Sequence, residues 1–128
     1  MCCNFARTRA DGAFGMRNEL LRFRFVPLAE VVMTEHKYRF LPEESCARVD
    51  KGSLVKLWCE ALGPGRLAEV FWVLVTQRLS AGPRGMEFEG RVNNHLKRTE
   101  AHGLAYEDVV RFTEDQIVDI ALGIKVKT

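Results

Sequence analysis

The chain has 128 residues, 47% hydrophobic and 28% charged, with a formal net charge of +2. This excludes wholesale disorder and suits one domain able to bury about two-thirds of its unfolded surface. The longest apolar run, Val70–Val75, is far short of the roughly 18 residues of a membrane-spanning helix, so no membrane partner is expected.

Residues 1–15 read as a flexible tail broken by Gly12 and Gly15, and residues 16–128 as a single globular domain. Leu21, Phe23 and Phe25 alternate with Arg22 and Arg24, the period of a half-buried strand that Pro27 ends. Leu28, Val31, Val32 and Glu35 suit a short helix starting at Pro27, although Val31-Val32 keeps a strand open. His36–Leu41 then alternates again, with Tyr38 and Phe40 against Lys37 and Arg39, and Pro42 closes it. The phrases Arg22–Pro27 and Lys37–Pro42 are near copies starting fifteen positions apart. They predict a small two-stranded antiparallel element with its aromatic rings in the core and its cations outside.

Pro42–Lys51 is turn-like. From Ser53, a helix-capping residue type, Leu54, Leu57, Trp58, Ala61 and Leu62 follow at i, i+3, i+4, i+7 and i+8. That spacing predicts a helix stopped by Gly63 and Pro64. Gly65–Ser80 is read as a second helix with Leu67, Val70, Phe71, Leu74 and Val75 inward, while its β-branched and aromatic content leaves a buried strand as the alternative. Phe88, Val92 and Leu96 recur every four residues and predict a third helix over Met86–His102, ending near Gly103. Tyr106–Phe112 reads as helical, and Thr113-Glu114-Asp115-Gln116 as a capping box opening a last helix with Ile117, Ile120 and Ala121 inward. The expected fold class is therefore mainly α (α+β): four to five helices around Trp58, Phe71 and Trp72, with a two-stranded β element at the N-terminus.

Charge is unevenly spread. Residues 1–24 hold five arginines against two acids, whereas residues 104–123 hold five acids against Arg111. Candidate nucleic-acid contacts are Arg22, Arg24, Lys37 and Arg39 in the two phrases, and Arg91, Lys97 and Arg98 on the predicted third helix. Cationic side chains there would neutralise phosphates, whereas base stacking would need exposed rings, which the core's demand for apolar surface opposes. The wide apolar stripe of the second predicted helix makes Phe71, Trp72 and Val73 a candidate partner-binding patch.

Chemistry is thinly represented. His95 and His102 stand seven apart, about 10 Å along a helix, so one metal does not bridge them unaided. A third reading would gather His36, His95, His102 and Cys46 or Cys59 into a metal-dependent or cysteine enzyme. No Gly-rich phosphate loop, paired catalytic carboxylates or C-x-x-C occurs, so no metal, cofactor or catalytic residue is assigned. The leading expectation is a non-catalytic cytoplasmic adaptor or regulatory module that binds another protein or itself as a homodimer. The alternative is a nucleic-acid-binding regulator.

Overall fold

The computed structural model describes residues 22–63 and 65–125, so the expected tail, residues 1–15, lies outside the described residues. In chain order the elements are β1 (Phe23–Phe25), α1 (Leu28–Thr34), α2 (Glu43–Ala47), β2 (Ser53–Ala61), β3 (Ala68–Gly82), β4 (Gly85–Val92), α3 (Thr99–His102), β5 (Val109–Thr113) and β6 (Ile117–Lys125). The mainly helical expectation is overturned. Six antiparallel strands form one sheet in the order β1-β2-β3-β4-β5, with β6 also on β2. The longest of the three described α-helices has seven residues.

The expected first helix is β2. Ser53, Val55, Leu57, Cys59 and Ala61 are buried on one face, while Leu54, Lys56, Trp58 and Glu60 take the other. Both faces carry large apolar residues, so the period of two is masked and a helical spacing emerges from residues on opposite sides. Ser53 caps no helix: its Oγ accepts from the Asp50 N–H at 3.1 Å in the turn before the strand. The expected second helix is β3, the buried-strand alternative, with Phe71, Val73 and Val75 facing the same interior as β2.

The third expected helix dissolves for a different reason. In β4, Phe88, Gly90 and Val92 are all buried on one side. A spacing of four is also twice two, and glycine fills the skipped position. A Cβ on Gly90 would lie 2.6 Å from Val73 Cγ1 and 2.7 Å from the Leu74 carbonyl oxygen, so β3 leaves no room for a side chain. Only Thr99–His102 of that segment is helical, and Gly103 caps it with φ +87°. The expected helices over 106–112 and beyond Gln116 are instead β5 and β6. The Thr113 capping box does form, Gln116 Oε1 accepting from the Thr113 N–H at 2.9 Å, but it organises only a 3-10 turn at Glu114–Gln116.

β3 occupies one edge of β2 along its length. The other edge is shared end to end: β1 pairs at Cys59–Ala61 and β6 at Ser53–Leu57. The sheet curls so that the inner faces of all six strands meet in one cluster, including Phe25, Leu57, Phe71, Phe88, Phe112 and Ile117. Phe25 meets Phe71 edge-on at 6.4 Å and Phe88 meets Phe112 at 5.6 Å. Each such ring contributes about 1.5–3 kcal/mol by leaving water. A second cluster lies on the outer side, where Leu28 and Val31 of α1 pack with Val26 and Val118.

The expected two-stranded element does not form. β1 pairs with β2, and the second phrase is a turn followed by irregular chain. Among the described residues no helix is long and apolar enough to cross a membrane.

Candidate functional site

The outward face of β2 and β3 carries an unusual surface. Register places Trp58 beside Val70 and Lys56 beside Trp72, and directly paired residues share a face. α1 covers only part of this floor. Both indoles remain half-buried, and Lys56 Nζ sits 4.8 Å from the centre of the Trp72 ring, a cation–π contact.

Two walls turn the floor into an open groove of about 500 Å³. One wall is the start of the second basic–aromatic phrase. Tyr38 stands edge-on to Trp58 at 5.8 Å, with Glu35 and Lys37 on the rim. Burial, helped by Asp119 and Glu35, pushes the Tyr38 phenol above its ordinary pKa, so it stays neutral and able to donate a hydrogen bond.

The other wall is the chain after β4, which supplies Asn94, His95 and Lys97. β4 ends at Val92; the Asn93 N–H still donates to the Trp72 carbonyl at 2.9 Å, and side chains hold the chain to β3 beyond it. Asn94 Oδ1 accepts from the Trp72 N–H at 2.6 Å. The Glu69 carboxylate accepts from the Lys97 N–H at 2.7 Å, the Arg98 N–H at 3.0 Å and His102 Nε2 at 2.9 Å. The Leu104 N–H donates to His102 Nδ1 at 3.1 Å, which places the ring hydrogen on Nε2, toward Glu69. Burial works against the charge on Glu69, yet His102 and the two backbone amides outweigh it and hold its pKa below the usual carboxylate range. The wall is thus fixed from beneath by a charged group whose bonding capacity is already largely used.

The candidate nucleic-acid contacts scatter. Lys37 and Lys97 flank the groove. Arg24 is held by Glu60 and Glu30, both at 2.9 Å, and Arg22 donates to the Glu100 carbonyl. Arg39 donates to the His36 carbonyl at 2.6 Å. Arg91 pairs with Leu74 and Val109 across the sheet and shares its strand with Glu87 and Glu89, while Arg98 is exposed beside α3. The result is alternating charge rather than one positive face. Of the candidate partner patch, Phe71 and Val73 are sealed in the interior at 1% and 0% exposure, because neighbours on a strand point opposite ways; only Trp72 reaches the groove.

His95 is exposed in the wall and stacks on Tyr106 at 4.6 Å, whereas His102 is buried. Among the described residues no three His, Cys, Asp or Glu side chains gather in a metal-holding arrangement. Cys59 lies in the core, where burial drives its thiol pKa far up; burial, then Glu114 and Glu43, raises that of Cys46. Neither is an activated thiolate. What the groove can do chemically is bind: stack or pack against two indoles and a phenol, and pair with anions through ammonium groups.

Glu35, Tyr38, Lys56, Trp58, Glu69 and Val70 are groove residues that the sequence did not single out as a site. The missed signal was the alternation Val55-Lys56-Leu57-Trp58-Cys59-Glu60-Ala61, visible once a tryptophan is allowed on the outer face. Compared with protein-family models, curated proteins and solved structures, the chain matches none.

Proposed function

We propose that the protein is a non-catalytic binding module, an adaptor or regulatory domain, that receives an extended segment of another protein in the Trp58–Trp72 groove. One observation carries this reading: two neighbouring indoles on the central strand pair are left half-uncovered although a helix packs beside Trp58. Tryptophan and tyrosine supply much of the energy of protein interfaces, because a large rigid ring loses little entropy on contact. The wall after β4 is tied to the sheet by Asn94 and Glu69, and Tyr38 of the other wall packs on Trp58, so the groove is largely preformed and little of it must be ordered on binding.

A polyanion fits this surface less well. Glu35 and Glu69 line the groove, and Glu30 and Glu60 occupy Arg24, so a phosphate backbone would meet repulsion along its track. Both fully described cysteines are unpaired, which supports assignment to the reducing cytosol.

The test is selection from a display library of random linear peptides, using wild type and Trp72→Ala side by side. Enrichment of a shared sequence pattern by wild type, lost in the variant while its far-UV circular dichroism and melting profile are kept, is the expected result. No enriched pattern with wild type would refute the reading. A monomer–dimer equilibrium abolished by Trp72→Ala would identify a second copy of this chain as the occupant.

A further inference from the structure

We infer that the groove selects an acidic segment: a peptide in which carboxylate side chains flank an apolar or aromatic one. This rests on the protein-binding reading and adds the chemistry of the partner. Lys37 and Lys97 stand on opposite walls of the groove, and among the described residues neither ammonium has a carboxylate within ion-pair distance. Lys56 rests over the Trp72 ring, which positions its charge without cancelling it.

Among the described residues no nearby acid forms an ion pair with these lysines. Glu69 is engaged by His102 and two backbone amides, and Asp119 accepts the Ile120 N–H at 2.8 Å. Glu35, on the rim, and Asp119, opposite Lys56 across the sheet, are the remaining opposing charges. Asp119 lies directly opposite Lys56 across β2 and β6, so of the three lysines on the groove Lys37 and Lys97, on facing walls, are the cations left for a ligand. A peptide with one or two carboxylates can pair with those two lysines; a strand with a charge at every nucleotide also meets Glu35, Glu69 and Asp119. The floor also lowers the local dielectric, so a carboxylate pairing at its edge interacts more strongly than in open water. A volume of about 500 Å³ accommodates a few side chains, in keeping with one apolar residue between two acids.

The experiment is a tryptophan-fluorescence titration with three blocked peptides of alternating sequence. Each places phenylalanine and leucine between glutamates, between glutamines or between lysines, and an oligothymidylate serves as the fourth probe. The glutamate peptide is expected to bind about tenfold more tightly than the glutamine peptide, the sum of two exposed ion pairs. The lysine peptide is expected to bind more weakly than both. In the double variant Lys37→Gln, Lys97→Gln, whose altered side chains are both exposed, the glutamate preference should fall below about threefold. Trp72→Ala should weaken all peptides alike. Raising the salt should erode the preference, because exposed pairs are screened.

Equal, Trp72-dependent binding of glutamate and glutamine peptides would overturn the acidic selection and leave the protein-binding reading standing. Preference for the lysine peptide would do the same. Tighter binding of the oligothymidylate, or no binding of any peptide to wild type, would overturn both.

Discussion

Arg22–Pro27 and Lys37–Pro42 carry the same alternation of basic and aromatic residues and end in different structures. In the first, Phe23 and Phe25 are 8% and 3% exposed, and the segment pairs with the end of β2. In the second, Phe40 is 66% exposed, Tyr38 leans on Trp58, and no strand forms. The difference lies in the partner available. β3 fills one edge of β2, and β1 and β6 divide the other, so that central strand has no edge left for a third claimant. A strand pattern is an offer of backbone hydrogen bonds, and it becomes a strand only where another chain segment accepts them. The second phrase instead supplies a wall of the groove, which its Lys37 and Tyr38 line.

The contrast can be broken or sharpened by substitution, beginning with the largest effect. Phe25→Ala removes a ring packed between Phe23 and Phe71 and should cost about 3–5 kcal/mol in chemical denaturation. A loss below about 1 kcal/mol would mean that the first copy is no more structural than the second. Tyr38→Ala should cost about 1–2 kcal/mol, since it gives up an edge contact with Trp58 and partial burial. It should also shift tryptophan emission to the red as Trp58 gains water.

Arg24→Ala should lower the melting temperature by less than Tyr38→Ala does, and the loss should depend on pH. The Arg24 guanidinium bonds to Glu30 and holds its carboxyl below the usual carboxylate range. The unfolded chain therefore takes up a proton at Glu30 before the folded one does. The pair's stabilisation is present above the usual carboxylate pKa and disappears as pH falls through the lowered one. Melting curves from neutral to acid pH should show wild type and variant converging at the acid end; parallel curves would dissociate Glu30 from the effect. Phe40→Ser, at the smallest end, should stay within about 0.5 kcal/mol of wild type. A larger destabilisation would show that the second copy contributes to the fold through its phenylalanine after all.

Legibility in the sequence followed how one-sided each segment is. Phe23-Arg24-Phe25 has one apolar and one charged face, and its period survives in the strand. α1 begins behind Pro27 and buries Leu28 and Val31, as its spacing indicated. β2 and β3 are apolar on both faces because a core lies on one side and α1 with the groove floor on the other. Alternation is erased in such a strand, and a chance helical spacing takes its place. β4 was obscured by Gly90, whose missing side chain reflects a close approach of β3 that only the fold reveals. The groove was legible in part. Lys37, Lys97 and Trp72 were candidates, each grouped with residues that the structure places elsewhere. Glu69 and Asn94 carried no local signal, since their role is to hold a segment more than twenty residues away.

By itself, the amino-acid order determined a mixed charge and a sizeable apolar content and, locally, the short helix behind Pro27, the Thr113–Gln116 turn and the left-handed stop at Gly103. These depend on contacts within a few residues, where proline geometry, capping side chains and glycine's freedom act directly. The tertiary structure alone decided that the middle of the chain would be sheet, which of two matching phrases would join it, and that Trp58 and Trp72 would share a floor. Those outcomes are settled by pairing between distant strands, whose hydrogen bonds and buried faces outweigh the modest local preference of any one segment for helix.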